Sequence, residues 1–194
     1  MIIIISSPAS LTDEHEIIRQ LFNEGLEIFH LRKNEYSESE LRKFIELIPE
    51  RHFKKIVLHS HYHLAVEYGL KGIHVPHTFR GAVPGRTVSI SFHALEEIQK
   101  VEIRFDYGFL SPVFDSISKE GYKSRFNLNE VKLFLKHRNE KIIALGGIDE
   151  DKIETVKDLG FSGIALLGAI WQSEHPVDKY KRIKEKWLKQ IVVY

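Results

Sequence analysis

Short apolar runs recur along the chain, each closed by glycine, proline or small polar residues. Ile2–Ile5 is the first and ends at Ser6-Ser7-Pro8. Leu26–Leu31, Ile56–His59, Lys71–Val75, Val88–Ser91 and Tyr107–Leu110 follow, and the segment from Ile142 to Trp171 holds two more, IIAL and GIALL. Runs this short, with little polar alternation, are the pattern of strands covered on both faces. The segments between them mostly carry a helical period. Ile17, Ile18, Leu21 and Phe22 share one face, opened by Thr12 as a cap and stopped by Gly25. Leu41, Phe44, Ile45 and Ile48 share another, opened by Ser37 with Glu40 at the capping-box spacing. Shorter helices are predicted through Leu64, Ala65 and Tyr68, over Ala94–Lys100, over Leu128–Lys136 behind Asn127, and from Asp149 to Leu159 before Gly160. A final helix starts at Pro176, with Tyr180, Ile183, Trp187 and Ile191 as its inward stripe. Two connections break the alternation. Pro76–Arg86 has no helical period, and Ser111–Phe126 is a long polar loop.

Strands alternating with helices argue a parallel sheet, because each crossover returns the chain to the same end. Eight such units argue closure into a single (β/α)8 barrel, with an open doubly wound sheet as the alternative. The 194 residues are expected to form one domain, residues 1–194. A net charge of +1 without a basic tract argues against nucleic acid and against an anionic membrane as partners. There are no cysteines, so disulfides and thiolate metal sites are excluded. The opening MIIIISSPAS has no basic stretch, and its apolar run is short for a signal peptide or a span, so the cytoplasm is the expected compartment. A homo-oligomer is left open. The unusual count is histidine, at 11.

In such a barrel the chemistry sits on the loops that follow the strands. Glycines follow the last two: Gly146-Gly147 after IIAL, and Gly168-Ala169 after GIALL. Glycine lets backbone N–H groups approach a ligand, and paired loops there with a short helix start are where this fold holds phosphate. Earlier strand ends add His30, Arg32, Lys33, Asn34, His59, His74, His77, Ser91 and His93, and the long loop adds Asp115, Ser116, Ser118, Lys119, Lys123 and Arg125. The mouth is thus basic and rich in hydroxyls and histidine, suited to a small phosphorylated substrate. Arg32 is the best anion clamp, since guanidinium pairs bidentately with phosphate or carboxylate. Lys33, Ser91, Ser116 and Ser118 join it as binding candidates. His93, then His59, are the acid/base candidates, because imidazole titrates near neutrality, and Lys119 is a further catalytic candidate. His59, His61 and His63 would share a face on a continued strand and, with His77 or His93, make a zinc set. The strand is expected to end at His59, and no carboxylate stands at a ligand spacing, so no metal site is assigned.

These residues resemble the thiamine phosphate synthase superfamily, including its TenI (thiazole tautomerase) branch, over nearly the whole chain. IALGGIDEDKIETVKDLGFSGIALLGAI is similar to the family's A-I-G-G-I … G-A-x-G-V-A-V-x-S-A-I, and DYGFLSPVFDSISKEG to its D-Y-V-G-x-G-P-I-F-x-T-x-T-K loop. Ser91-Phe92-His93, Gly72-Ile73-His74-Val75 and HLRK match shorter family motifs. The resemblance implies the same barrel. It places Arg32, Ser91 and Lys119 at a diphosphate site, Ser116 and Ser118 near a thiazole phosphate, and Gly147, Gly168 and Ala169 in that phosphate's cradle. The synthase joins hydroxymethylpyrimidine diphosphate to thiazole phosphate and holds Mg²⁺ with two aspartates. One belongs to an Asn-Asp pair that is His59-Ser60 in this chain, and the other falls in PHTF, which has no acid. The family's second cation after strand two is Asn34. A departing diphosphate needs its charge neutralised, usually by a hard cation on oxygen ligands. The TenI branch also lacks the aspartates and only moves a proton on thiazole phosphate carboxylate. Its loop histidine corresponds to Pro112, which leaves His93 and His59 to serve. The expectation is therefore a TenI-like tautomerase without a cofactor. The alternatives are a Mg²⁺-dependent thiamine-phosphate synthase, which also takes the pyrimidine diphosphate, a non-catalytic phosphate-ligand binder, and a zinc hydrolase.

Overall fold

The computed structural model describes residues 1–76, 78–79, 81, 84–115, 124 and 126–189. Its strands are β1 (Ile2–Ile5), β2 (Ile28–Leu31), β3 (Ile56–Leu58), β4 (Gly72–Pro76), β5 (Thr87–Phe92), β6 (Tyr107–Leu110), β7 (Ile142–Leu145) and β8 (Gly163–Leu166). They pair in parallel and in chain order, and β8 returns to β1 through Ile2↔Ile164 to Ile4↔Leu166, so the barrel is closed. The helices are α1 (Glu14–Asn23), α2 (Glu38–Glu46), α3 (His63–Glu67), α4 (Leu95–Lys100), α5 (Leu128–Lys136), α6 (Ile153–Asp158), α7 (Gly168–Trp171) and α8 (Pro176–Leu188). The expected barrel is the fold found, and the doubly wound alternative is excluded by closure. No helix lies between β4 and β5 among the described residues.

Local chemistry explains most element ends. Ser37 accepts from the Glu40 N–H while the Glu40 carboxylate takes the Ser37 N–H, completing the capping box of α2. Asn127 and Asp149 accept backbone N–H bonds at the helix starts they precede. The expected Thr12 cap is a correction: α1 starts behind Asp13, and no side chain caps it. A 3₁₀ turn at Glu50–Lys55 was not foreseen, because six residues with one apolar position carry no period. The predicted helix from Asp149 divides into a 3₁₀ turn, Glu150–Lys152, and α6.

Alternation along the strands builds two cores. Outward-facing residues such as Ile4, Phe29, Leu58, Val75 and Ile164 pack under Ile18, Leu21, Ile45, Leu64 and Ile183 of the helices. Inward-facing Ile3, Ile5, Val57, Phe109, Ile143 and Ala165 form a separate cluster inside the barrel. The lumen is lopsided. On the β1, β7 and β8 side it is aliphatic, whereas β2, β4, β5 and β6 contribute His30, His74, Ser89 and Tyr107, all buried. Gly72 lets β4 approach β5, since a Cβ there would lie 2.1 Å from the Thr87 carbonyl oxygen.

Lys33 does not reach the barrel mouth, which corrects its expected binding role. It is 3% exposed, and its Nζ donates to Glu14 Oε2 at 2.5 Å and to the Ser7 and Ala9 carbonyls at 2.8 and 3.0 Å. Glu14, 1% exposed, also accepts the Ser7 N–H at 2.9 Å. This buried pair ties the loops after β1 and β2 to α1. Breaking such a pair strands a charge and costs about 3–5 kcal/mol. Glu14→Gln is therefore expected to lower the urea-unfolding free energy by that order. Glu14→Gln/Lys33→Met should recover most of the loss, whereas a further loss in the double variant would show that the pair is not coupled.

Candidate active site

The strand ends surround a cavity of about 620 Å³. Arg32 and Asn34 follow β2, His59 follows β3, and His74 and Ser91 come from β4 and β5. His93, Ser111 and Pro112 stand on the next two loops, and Gly146, Gly147, Gly168 and Ala169 close the far side. Arg32, His59, Ser91, His93 and all four glycine-loop residues named from sequence thus converge on one space. Ser116, Ser118 and Lys119 lie outside the described residues, as do His77, Lys123 and Arg125.

The glycine side is shaped for close approach. Gly146 and Gly147 have φ of 95° and 66°, a region that disfavours side chains. A Cβ on Gly147 would fall 2.2 Å from the Asp115 carbonyl oxygen. Gly168 opens the single turn α7, whose first N–H groups have no partner within the helix. Across the cavity, the Arg32 backbone is held by Ser6, whose Oγ accepts the Arg32 N–H at 2.8 Å and donates to its carbonyl at 2.9 Å. The Arg32 side chain is exposed and forms no ion pair among the described residues. It is therefore an uncommitted cation facing a set of bare backbone donors.

His93 donates from Nδ1 to the Ser111 carbonyl at 2.9 Å, because a carbonyl can only accept. In the neutral ring that contact selects the Nδ1–H tautomer and leaves Nε2 as a lone-pair acceptor, the form a general base requires. The His93 N–H is held by the Glu97 carboxylate at 2.6 Å. His59 is placed differently. Its Nε2 lies 2.9 Å from His30 Nδ1, and its ring stacks on His74 at 4.3 Å. The stripe of His59, His61 and His63 is not formed. β3 ends at Leu58, and His61 turns away with φ 47° toward the Tyr36 carbonyl. His63 faces Glu38 at 3.3 Å.

The histidines that do meet are His30, His59 and His74, with ring nitrogens within 4.8 Å of one another, a separation that a metal ion can also bridge. His30 Nε2 is 2.7 Å from the Tyr107 hydroxyl, and His74 lies between Ser89 Oγ at 3.0 Å and Ser91 Oγ at 2.8 Å. Burial, then the neighbouring His74, holds His30 well below the usual imidazole range. Burial does the same to His59, helped by His74, His30 and Arg32. His74 is pushed down to about 3, by burial first and the Arg32 charge second. Burial also pushes the Tyr107 hydroxyl up. All these rings are neutral at physiological pH. Sequence reading placed His30 and His74 only among residues near the mouth and passed over Ser89 and Tyr107. The signal was present: each occupies an inward position on a strand whose outward positions are apolar or glycine.

Fold and site together define a (β/α)8 barrel with a polar cavity at the C-terminal ends of its strands, where this fold carries its chemistry. The family model described as thiamine monophosphate synthase matches residues 1–170, and the chain belongs to that enzyme family. The crystal structure of thiamine phosphate pyrophosphorylase from Bacteroides thetaiotaomicron superimposes with a TM-score of 0.81 at 32% identity, covering 95% of this chain and 96% of that one. A thiamine-phosphate synthase from Anoxybacillus flavithermus is 30% identical over 130 residues, 63% of this chain and 60% of the relative. Another from Oceanobacillus iheyensis is 23% identical over 185 residues, 88% of this chain and 90% of the relative. No helix among the described residues is long and apolar enough to cross a membrane.

The neutral rings make stability depend on pH. Their folded pKa values lie below the unfolded value of 6.5, so the unfolded chain binds more protons beneath that pH. Stability is complete above about pH 7 and falls as pH drops through 6.5, by up to about 1.4 kcal/mol per pH unit for each ring. For His74 the loss continues to about pH 3. Urea unfolding at pH 7.5 and 5.5 should show this drop, and His74→Gln should reduce it by one ring's share. A midpoint unchanged over that interval would mean the rings are not buried neutral.

Proposed function

We propose that the protein is a thiamine-biosynthesis enzyme that binds thiazole phosphate carboxylate and moves a proton between its carbon positions, as in the TenI branch of the family. One observation carries this reading. The cavity pairs an anion site, Arg32 with the glycine loops, with a base-ready His93, and holds no carboxylate among its described lining residues. The phosphate takes the backbone N–H groups of Gly147, Gly168 and Ala169. Arg32 takes the carboxylate or the outer phosphate oxygens, and His93 Nε2 accepts the proton. His59 is the second acid/base group, and Lys119, Ser116 and Ser118 keep the roles that the family resemblance implies.

A second reading is favoured by the relatives, all named thiamine-phosphate synthase or pyrophosphorylase. By name alone the comparisons support it better than the first. In that reading the same cavity also takes hydroxymethylpyrimidine diphosphate, and the family's chemistry calls for Mg²⁺. The described donors fit that ion poorly. Mg²⁺ prefers carboxylate and water oxygens in octahedral array, whereas the described lining offers imidazoles, hydroxyls, a guanidinium and the single amide of Asn34, with no carboxylate. Asp115 lies outside the lining, with its Oδ1 accepting the Ser124 N–H at 2.8 Å.

The discriminating experiment incubates purified protein with thiazole phosphate carboxylate, hydroxymethylpyrimidine diphosphate and Mg²⁺. Interconverted thiazole tautomers without thiamine phosphate are the expected result, with a loss of roughly 100-fold or more in His93→Ala. Thiamine phosphate that disappears with a chelator would establish the synthase and overturn the first reading. Thermal stabilisation by thiazole phosphate without turnover would mean a binder.

Arg32→Ala tests the anion site independently of turnover. A charged hydrogen bond to an oxyanion contributes about 1.5–3 kcal/mol, so the Kd for thiazole phosphate measured by calorimetry should rise roughly tenfold to a hundredfold. An unchanged Kd would remove Arg32 from the site.

A further inference from the structure

Three imidazoles stand at the floor of the cavity, apart from His93. They come from three neighbouring strands: His30 from β2, His59 from the residue after β3, and His74 from β4. The pairing Leu58↔Ile73 sets His59 beside His74, and the His59 N–H, donating to the Leu31 carbonyl at 3.3 Å, keeps that residue in line with the strands. His30 Nδ1 and His59 Nε2 lie 2.9 Å apart. The His30 ring stands edge-on to the other two, with centroids 5.1 Å and 5.5 Å away. One nitrogen from each ring falls within 4.8 Å of the other two.

These separations are close to those of a ligand set. Zinc takes imidazole nitrogen at about 2.0–2.1 Å, so two ligands of a tetrahedral ion stand about 3.4 Å apart. The 2.9 Å pair has to open by about 0.5 Å, and the widest separation to close by at most about 1.4 Å. The groups behind the rings fit as well. A ligating imidazole is neutral, and its second nitrogen is held by an outer partner that fixes the ring. With His30 Nδ1 on the ion, Nε2–H donates to the Tyr107 oxygen at 2.7 Å. His74 has a partner whichever nitrogen faces the ion: Ser91 Oγ at 2.8 Å from Nε2, or Ser89 Oγ at 3.0 Å from Nδ1. His30 is fully buried, whereas His59 and His74 line the cavity, so an ion is held from below and reached from above.

We propose that His30, His59 and His74 form a three-histidine site for a borderline divalent cation, zinc foremost, with its remaining coordination open to the cavity. Imidazole suits zinc, nickel, copper and iron, whereas hard ions select oxygen. Three protein ligands with one open position is the pattern of catalytic zinc sites, and four protein ligands that of structural ones. No carboxylate stands among the described lining residues, so the charge of the ion is balanced by an anion from solution, hydroxide or the carboxylate of a small ligand. The set is not His59, His61 and His63, which the end of β3 at Leu58 separates. The site goes beyond the tautomerase reading and stands without it. His59 is a ligand when the ion is bound and an acid/base group only in its absence. His93 is outside the set and remains the proton acceptor in both states.

The test uses the full chain, freed of metal with a chelator and titrated with Co²⁺, whose visible bands report coordination, and with Zn²⁺ by calorimetry. One equivalent of Co²⁺ should bind with the intense bands of a four- or five-coordinate ion. Zn²⁺ should displace it, and a large excess of Mg²⁺ should not. Acetate should shift the bands by entering the open position. His59→Gln and His30→Gln should each abolish stoichiometric binding, and His93→Ala should retain it. Tyr107→Phe keeps all three ligands and a ring that packs against Phe109 and His30. It removes only the outer partner of His30, and the Zn²⁺ Kd should rise roughly 10–100-fold. Urea unfolding without metal checks the fold of each variant. If His30→Gln does not fold, His59→Gln at the cavity wall and Tyr107→Phe decide the question. Binding below one equivalent, an equivalent that survives in His59→Gln, a Kd unchanged in Tyr107→Phe, or displacement by Mg²⁺ would each overturn the site. Bands insensitive to acetate would remove the open position.

Discussion

Three imidazoles share the lumen of this barrel with no carboxylate hydrogen-bonded to them among the described residues, and the lumen is organised around satisfying them. A buried ring nitrogen without a partner costs on the order of 1–3 kcal/mol. His30 and His74 escape that cost because both nitrogens of each are engaged, by His59 and Tyr107 in one case and by Ser89 and Ser91 in the other. The partners come from neighbouring strands at fixed register, so the network depends on barrel closure and also narrows what each inward position tolerates. Ser89 and Ser91 must be small hydroxyl residues because His74 stands beside them on β4. Tyr107 must reach inward because His30 faces it across the lumen.

The lopsided lumen gives the cavity its two characters. Ile3, Ile5, Ile143 and Ala165 fill the β1, β7 and β8 side, a dry wall against which a flat heterocycle packs well. The opposite wall presents hydrogen-bonding groups that carry no charge. Among the described lining residues, the fixed charge enters at the rim, from Arg32. The Glu14–Lys33 pair belongs to the same division of labour. It buries one cation to fix the loops around Ser6 and Arg32, and leaves the adjacent cation free to face an anion. Adjacent basic residues in sequence thus have opposite fates, set by the inward or outward side of one short loop.

Much of the fold was legible because buried parallel strands leave short apolar runs and their helices leave a period. Gly25 and Gly160, which end α1 and α6 with φ near 89° and 88°, and the capping box at Ser37 marked ends accurately. The glycine cradle, Arg32, Ser91 and His93 were legible because strand C-termini collect function in this fold. The floor was not. His30, His74, Ser89 and Tyr107 sit inside strands, where an apolar run with one polar residue reads as core. Only when period-two alternation is applied to the polar positions do I-F-H, G-I-H, S-I-S and Y-G-F line up on one inner face. Lys33 misled for the complementary reason. Its partner Glu14 is 19 residues away and belongs to a helix, so sequence could not show that its charge was already spoken for.

The exchange of donor types at the cavity decides what chemistry it supports. An oxygen-lined floor holds a divalent ion and stabilises a charge as it departs. A floor of neutral imidazoles and hydroxyls suits a softer ion better than a hard one, and brings no negative charge to hold it. By the family resemblance His59 stands where the Asn-Asp pair begins, and it lines the cavity while its Nε2 meets the buried His30. On that alignment, one position exchanges an amide oxygen for an imidazole. Placing a carboxylate at Ser60 alone would not reverse this. The ion would still face the Arg32 cation and desolvated rings already pushed toward neutrality by the same surroundings. The buried polar groups reaching from β2 to β6 are thus tied to one another as well as to the cavity above them.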